Sequence, residues 1–553
     1  MSNPSETLPA PGVIREAIDL GRFPWIRPLV GAYAHDFASV APLFAGNPAD
    51  PQAWRDTIAR VQRAPRDRAR LASVVSAQLD RRQAPPEARA AAAALADARS
   101  VAIVTGQQAG LGGGPLYTLL KAVTALQLAR RVSDGHGLPV VPIFWVDAED
   151  HDWAEVRAAK ILDASFELKT IALADVPGAG RLPMGSLVLD DGVETMIDEL
   201  DASLAPTEFT AGLVAMLRRA YVAGATMSGA FASLIDRLLG RHGMVVFESS
   251  DPAAKPIVAD LFAREIANPS RTATLAREGA AAMSALGHAP QVEPAEDAVA
   301  LFYLDAGGRH AIKRSDAQFQ IGDVSKPAAE LRAEAETHPE RFSPNVLLRP
   351  LVQDRLFPTI CYVAGPSELA YQAQLKAIYA EFQVEPPLLY PRANATLLDS
   401  AAIRFLDKHA LPIETFQAPD ESALNRWLER QLPPSIEQTI ADTSRQIRER
   451  IATIRETVAG VDPTLGGAVD TTLDKMLESL KTLQNKIVQA SKKKDDTLRR
   501  QFLRTQRLTF PNGIPQEREL SLVFFANRYG DALIDRLIDG LPLETGKHYV
   551  VNI

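Results

Sequence analysis

Two short apolar runs, Val101 to Val104 and Val140 to Val146, flank a Gly-rich turn and an amphipathic helix from Leu116 to Val132. Both runs are nearly continuous in apolar character rather than alternating, as expected of parallel strands covered on both faces. Two such strands joined by a helix make a βαβ unit, and parallel strands need that kind of crossover. The same grammar returns at Gly243 to Phe247, where Ser249-Ser250-Asp251-Pro252 caps a helix running to about Ala263. It returns again at Thr359 to Val363, where Ala364-Gly365-Pro366-Ser367 leads into a helix from Glu368 to Phe382, and a last run, Pro387 to Tyr390, precedes Pro391-Arg392. Alternating strand and helix predicts the α/β class, with an open, mostly parallel sheet.

At 553 residues the chain exceeds one ordinary domain. Residues 1 to about 98, rich in Ala, Arg and Pro, read as a helical lead-in, and the stretches near 162–235 and 264–340 break the alternation as insertions. From Pro434, Ile436, Ile440, Ile447, Ile451, Ile454 and Val458 trace a seam, and Val461 to Gly467 make a turn. Val469, Leu473, Met476, Leu480, Leu483, Ile487 and Ala490 then follow a 4-3-4-3-4-3 spacing, the a/d pattern of a coiled coil, with a slip after Lys494 to Leu498 and Phe502. Phe510-Pro511-Asn512-Gly513 turns the chain back to a helix around Asn527 to Leu541 expected to dock on the core. The expected units are a core over 1–433, a coiled-coil arm over 434–509 and a returning segment over 510–553. One seam serves a folded-back hairpin or a dimer equally well.

Lys plus Arg number 60 against 68 Asp plus Glu, a net charge of −8 with the wrong sign for nucleic-acid binding by phosphate neutralisation. Lys492-Lys493-Lys494 with Arg499, Arg500, Arg504 and Arg507 read as a solvated basic helix face. The most apolar run, Gly137 to Val146, falls far short of the roughly 20 residues a membrane crossing needs. Met1 to Ile14 shows no secretion signal, and a cytoplasmic protein without nucleic-acid or membrane partners is expected. The single cysteine, Cys361, sits inside an apolar run and reads as core.

Three blocks carry chemistry. Thr105-Gly106-Gln107-Gln108-Ala109-Gly110-Leu111-Gly112-Gly113-Gly114-Pro115 joins strand to helix, where close backbone approach and a helix N-terminus suit a phosphate or carboxylate. It matches neither the Walker pattern nor G-x-G-x-x-G, and a tight turn without ligand is the plain alternative. Asp147-Ala148-Glu149-Asp150-His151-Asp152 gathers four carboxylates around one histidine at the carboxyl end of a strand. Such crowding allows a general base, an ammonium site or a divalent ion, against a solvated loop with Asp152 as helix cap. No second His or Cys cluster accompanies it, so no metal ligands are assigned. In the third block Arg349 can fork onto a carboxylate or phosphate, and Glu368 and Tyr371 share a helix face. The alternative there is a structural ion pair with helix capping. Gly365-Pro366-Ser367-Glu368-Leu369 is not a nucleophile elbow.

Together these blocks, with Tyr117, Lys121, Phe144-Trp145-Val146, Pro290-Gln291-Val292, Asn345 to Pro350, Gln353-Asp354, Gly365 to Glu368, Tyr371, Pro391-Arg392 and Gln516-Glu517-Arg518, resemble the bacillithiol biosynthesis cysteine-adding enzyme family, in order from about residue 100 to the C-terminus. Leu111-Gly112-Gly113 departs from the bulkier pair expected there. The resemblance implies a Rossmann-like core of the class I aminoacyl-tRNA synthetase type, connecting insertions, and a coiled-coil arm used for homodimerisation. It also implies a ligase joining the carboxyl of L-cysteine to the amine of glucosaminyl-malate. Carboxyl activation calls for ATP or another nucleotide, with Mg²⁺, by adenylate or acyl phosphate. On the resemblance, Glu149, Asp150, His151 and Asp152 are the expected catalytic residues. Thr105, Gly106, Gln107, Gln108, Gly114, Tyr117, Lys121, Arg349, Gln353, Asp354, Gly365, Glu368, Tyr371 and Arg392 are those expected to bind substrate or nucleotide. Two other readings stand beside this one: a catalytically inactive coiled-coil scaffold, and a nucleotide-dependent enzyme acting on another amino acid or on RNA.

Overall fold

Val101–Gln108 (β1) and Val140–Asp147 (β2) run parallel in unbroken register, from Val101 opposite Val140 to Gln108 opposite Asp147. The structure, a computed structural model, describes residues 14–315, 318–430, 434–458, 460–494 and 496–553. Val245–Glu248 (β3) pairs parallel with β2, Thr359–Ala364 (β4) with the other side of β1, and Leu388–Pro391 (β5) with β4. The sheet order is therefore β5-β4-β1-β2-β3. Strand order reverses between β4 and β1, and open α/β sheets place their ligands at the carboxyl ends beside that reversal. Every residue from Val101 to Gly106 is buried, and so is every residue of β4, which accounts for their continuous apolar runs. Cys361 is fully buried in β4, and burial pushes its thiol pKa up.

Leu116–His136 (α1) crosses from β1 to β2 and packs on both strands. The expected single helix over 368–382 is two, Pro366–Gln372 and Lys376–Phe382. They part where buried Gln374 turns inward and takes the backbone N–H groups of Gln291 and Val292, each at 2.9 Å. The C-terminal helix is likewise two, Leu522–Tyr529 and Ala532–Gly540, interrupted at Gly530, and both pack on α1. The chain then ends as Lys547–Asn552, the middle strand of a small sheet between Ile14–Asp19 and Asn394–Leu398. Ile14–Asp19 corrects the all-helical lead-in. The first insertion holds the hairpin Ala158–Leu162 with Leu168–Ala172, followed by helices. The second builds a five-stranded antiparallel sheet in which Ala298–Asp305 lies between Gly308–Ser315 and Phe342–Pro344.

These elements form one compact unit that runs to Leu398 and resumes over Gln516–Ile553; the other unit is Asp399–Pro515. In the latter, Pro434–Val458 (α2) and Gly466–Lys494 (α3) pack against each other, with Arg455 Nε 3.1 Å from Asp470 Oδ1. Ile436, Ile440, Ile447, Ile451 and Val458 lie on the covered side of α2, and Val469, Leu473, Leu477, Leu480 and Ile487 on that of α3. Ile454, Met476 and Leu483, assigned to the seam by spacing, are instead 47%, 44% and 50% exposed. The side chains of Ala490 and Lys492 to Lys494, and the segment Met1 to Val13 read for a signal, lie outside the described residues. Arg499 pairs with Glu421 and Arg504 with Asp399, so part of the basic strip serves local ion pairs.

Candidate active site

β1 and β4 stay paired up to Val104 opposite Tyr362, and beyond this point the chains diverge. The opening holds a cavity of about 620 Å³ whose walls include Gln107 and Gln108 from β1, Asp147 and Asp150 from the end of β2, and Arg349 and Tyr371. Phe302, Arg309 and Asn345 arrive from the second insertion. A smaller cavity of about 240 Å³, lined in part by Tyr117, Lys121, Glu155, Arg392 and Arg518, shares Gln107, Gln108, Ser367 and Glu368 with the first. No helix among the described residues is long and apolar enough to cross a membrane.

The larger cavity sets two carboxylates apart. Burial pushes the Asp147 pKa up, while the Arg349 guanidinium, 3.6 Å away, works against that shift. Asp150 is also partly buried, yet its pKa is held below the ordinary carboxylate value. Gln108 Nε2 donates to it at 3.0 Å, the His151 backbone N–H at 2.7 Å, and Arg309 adds its charge. Arg309 is fixed by stacking 3.8 Å above Phe302 and by donating to Pro344 O at 3.1 Å. Arg349 also donates to the Tyr371 hydroxyl at 2.5 Å. The wall shared by the cavities is a hydrogen-bonded chain. Lys121 Nζ pairs with Glu368 at 2.6 Å and donates to Gly106 O at 2.8 Å and Gln107 Oε1 at 2.9 Å. Gln107 in turn donates to Tyr117 Oη at 3.1 Å. Glu368 accepts from the Tyr362 hydroxyl at 2.6 Å and from Gly365 N at 2.7 Å. Burial works against the Glu368 charge, but Lys121 and these donors hold its pKa below the usual range.

Several expected site residues stand elsewhere. Glu149 is buried in an ion pair with Lys255, which also donates to Phe342 O at 3.0 Å. His151 lies outside both cavity walls, its Nδ1 3.4 Å from Arg309. Asp152 caps the short helix Trp153–Val156 by accepting from Glu155 N at 3.1 Å. Thr105 donates to Val363 O at 3.1 Å inside the sheet. Gln353 and Asp354 form a buried pair behind the site, where Tyr379 donates to Asp354 at 2.5 Å. Gly106, Gln107, Gln108, Tyr117, Lys121, Arg349, Gly365, Glu368, Tyr371 and Arg392 do line the cavities.

The Gly112 to Gly114 part of the Gly-rich turn is not an anion cradle. Gly112, Gly113 and Gly114 have φ of 63°, 85° and 72°, and the first two lie against Ser521, Leu522 and Val523. Gly114 O accepts from Leu522 N at 2.9 Å, and Leu116 N, in the first turn of α1, donates to Leu520 O at 2.9 Å. The turn and the helix start are thus used to seat the C-terminal segment, so a nucleotide's phosphates do not fit there. Among the described residues no group of three His, Cys, Asp or Glu is arranged to hold a metal ion.

Asp147, Glu155, Phe302, Arg309 and Arg518 are wall residues that the sequence reading did not assign. Asp147 and Arg518 stood inside quoted blocks. For Phe302, nothing in a β insertion announces that its stacked pair with Arg309 reaches the crevice.

A family model described as the N-terminal Rossmann-like domain of bacillithiol biosynthesis BshC matches residues 16–393, and one for the C-terminal coiled-coil domain of BshC matches 395–553. The chain belongs to the BshC family. A relative from Salinibacter ruber is 33% identical over 97% of both chains and carries the name "Putative cysteine ligase BshC". A Symbiobacterium thermophilum relative of the same name is 33% identical, covering 94% of this chain and 96% of its own. One from Koribacter versatilis is 31% identical over 87% and 89%. Membership places the chain among ligases of bacillithiol biosynthesis. It also agrees with the Rossmann-like sheet and the helical arm described above.

Proposed function

We propose that this BshC family member joins the carboxyl of L-cysteine to the amine of glucosaminyl-malate in the cytoplasm. The observation that carries the reading is a pair of carboxylates set apart in proton affinity within one cavity, next to a cavity lined by Lys121, Arg392 and Arg518 together with Glu155 and Glu368. Asp150, kept ionised, suits the cysteine ammonium. The shared wall of Gln107, Gln108 and Glu368 lies where an amine entering from the smaller cavity would meet the cysteine carboxyl. Asp147, whose buried carboxylate binds protons more readily, takes the proton that the attacking amine loses. Arg349 beside it faces the charge that gathers on the carboxyl oxygens.

As the C–N bond forms, one carboxyl C–O bond breaks, so that oxygen must leave on an activating phosphoryl or nucleotidyl group supplied by a co-substrate. The turn that would have cradled a nucleotide's phosphates is filled by the chain itself, so no step here is assigned to ATP or to Mg²⁺. Two arms associating through Ile454, Met476 and Leu483 would make the homodimer, since these side chains stay exposed on each hairpin. The test is a reaction of purified protein with cysteine and glucosaminyl-malate, each omitted in turn, with and without Mg-ATP. The amide should form only when both substrates are present, and the ATP omission decides whether a nucleotide is consumed. Absence of amide under every condition from folded protein would overturn the proposal.

A further inference from the structure

We infer that Arg518 reads the negatively charged end of the acceptor, making the smaller cavity a subsite for a substrate that carries carboxylates. This rests on the ligase reading above and deepens it. Three cations and two carboxylates face the cavity; Glu155 accepts from Gln108 at 2.7 Å, and two of the cations are already compensated. Lys121 is held by Glu368 at 2.6 Å, and Arg392 is forked by Glu517 at 2.8 and 3.1 Å. Arg518 is exposed, and among the described residues no carboxylate lies within 4 Å of its guanidinium. It lies 6.0 Å from the centroid of Tyr117, the ring that also carries Arg392 at 5.4 Å. Two guanidinium groups gathered on one ring repel each other, and an anion between them relieves the repulsion.

The backbone that presents Arg518 is pinned on both sides. Gln516 exchanges hydrogen bonds with the main chain of Leu397 at 2.7 and 2.8 Å, Glu517 takes Arg392, and Glu519 takes Lys160 at 2.8 Å. The neighbours of Arg518 are buried and satisfied while it alone projects to solvent. A planar fork fixed in this way suits a carboxylate, which it can grip with two parallel N–H donors. The cavity, of about 240 Å³, shares Gln107, Gln108, Ser367 and Glu368 with the larger one. An acceptor with its carboxylates at Arg518 presents its amine at the shared wall, to Gln107 and Gln108.

The test measures binding by calorimetry on the full chain without cysteine, so that it does not depend on turnover. Glucosaminyl-malate, methyl glucosaminide and Mg-ATP serve as probes against the wild type, Arg518→Ala and Arg518→Lys. Losing a charge-assisted fork should weaken glucosaminyl-malate about 10- to 100-fold in Arg518→Ala, with Arg518→Lys between. Methyl glucosaminide, which lacks the carboxylates, should bind all three alike. In turnover, the KM for glucosaminyl-malate should rise while the KM for cysteine stays put. Unchanged glucosaminyl-malate affinity, or a loss confined to Mg-ATP, overturns the assignment. A binding difference without amide product from any variant would leave the subsite standing and remove the ligase reading instead.

Discussion

Removing Glu149 should damage the protein through Lys255 rather than through chemistry. Both side chains are 4% exposed, and without Glu149 the ammonium keeps the Phe342 carbonyl as its hydrogen-bond acceptor and the face of Phe262 at 5.6 Å. Stripping one member of a buried ion pair costs about 3–5 kcal/mol. At about 2.1 cal/mol/K of unfolding entropy per residue, a cooperative unit of this size loses about 1 °C per kcal/mol, so Glu149→Ala should lower Tm by about 3–6 °C. Replacing both partners with apolar groups of similar volume, Glu149→Leu with Lys255→Met, should restore stability to within about 1 kcal/mol of wild type or better. The assay is scanning calorimetry beside amide-forming activity on all three proteins. Activity should return with stability in the double variant. A double variant that is stable but inactive, with Glu149→Ala as stable as wild type, would refute the reasoning and return Glu149 to the chemistry.

Gly113→Ala forces a side chain at φ 85° and places its Cβ 3.0 Å from Leu522 Cδ2. It should cost about 1–3 kcal/mol and make the C-terminal segment easier to cleave, as read by urea unfolding and limited proteolysis; unaltered stability would argue against the turn as that segment's seat. Burial raises the Asp354 pKa from 3.8 to about 6, so the folded state binds that proton more tightly than the unfolded state does. Its contribution is fully present below about pH 4, declines as pH rises through 6 and is gone above, on the order of 3 kcal/mol. Asp236 shares the window at about 6, so the comparison needed is between wild type and Asp354→Asn. Their urea-unfolding free energies should diverge steadily between pH 4 and 7, and parallel curves would count against it.

The sheet was legible because its strands are buried on both faces and announce themselves as unbroken apolar runs. The crevice at their carboxyl ends followed from that grammar, which is why Gln107, Gln108, Arg349 and Glu368 were found. What misled was chemistry without partners. Glu149 and Asp150 are adjacent and alike in sequence, but Lys255, more than a hundred residues on, takes one out of the cavity. The glycines of the turn invited a phosphate because nothing local shows that Leu522 and Val523 come to fill it. In the arm, the 4-3 spacing of Met476 and Leu483 is real, yet Leu477 takes the covered side. Two overlapping apolar stripes leave one for packing within the hairpin and the other exposed. Helix breaks at Gln374 and Gly530 arise from distant contacts, with Gln291 and Val292 in one case and Phe209 in the other, which periodicity does not encode.

The most direct test of the central claim compares wild type with Asp147→Asn, full length and folded by circular dichroism, for formation of cysteinyl-glucosaminyl-malate by mass spectrometry. The account predicts amide from wild type and a rate lower by about 10²- to 10⁴-fold in Asp147→Asn, with cysteine still bound. Equal rates from the two proteins would contradict it.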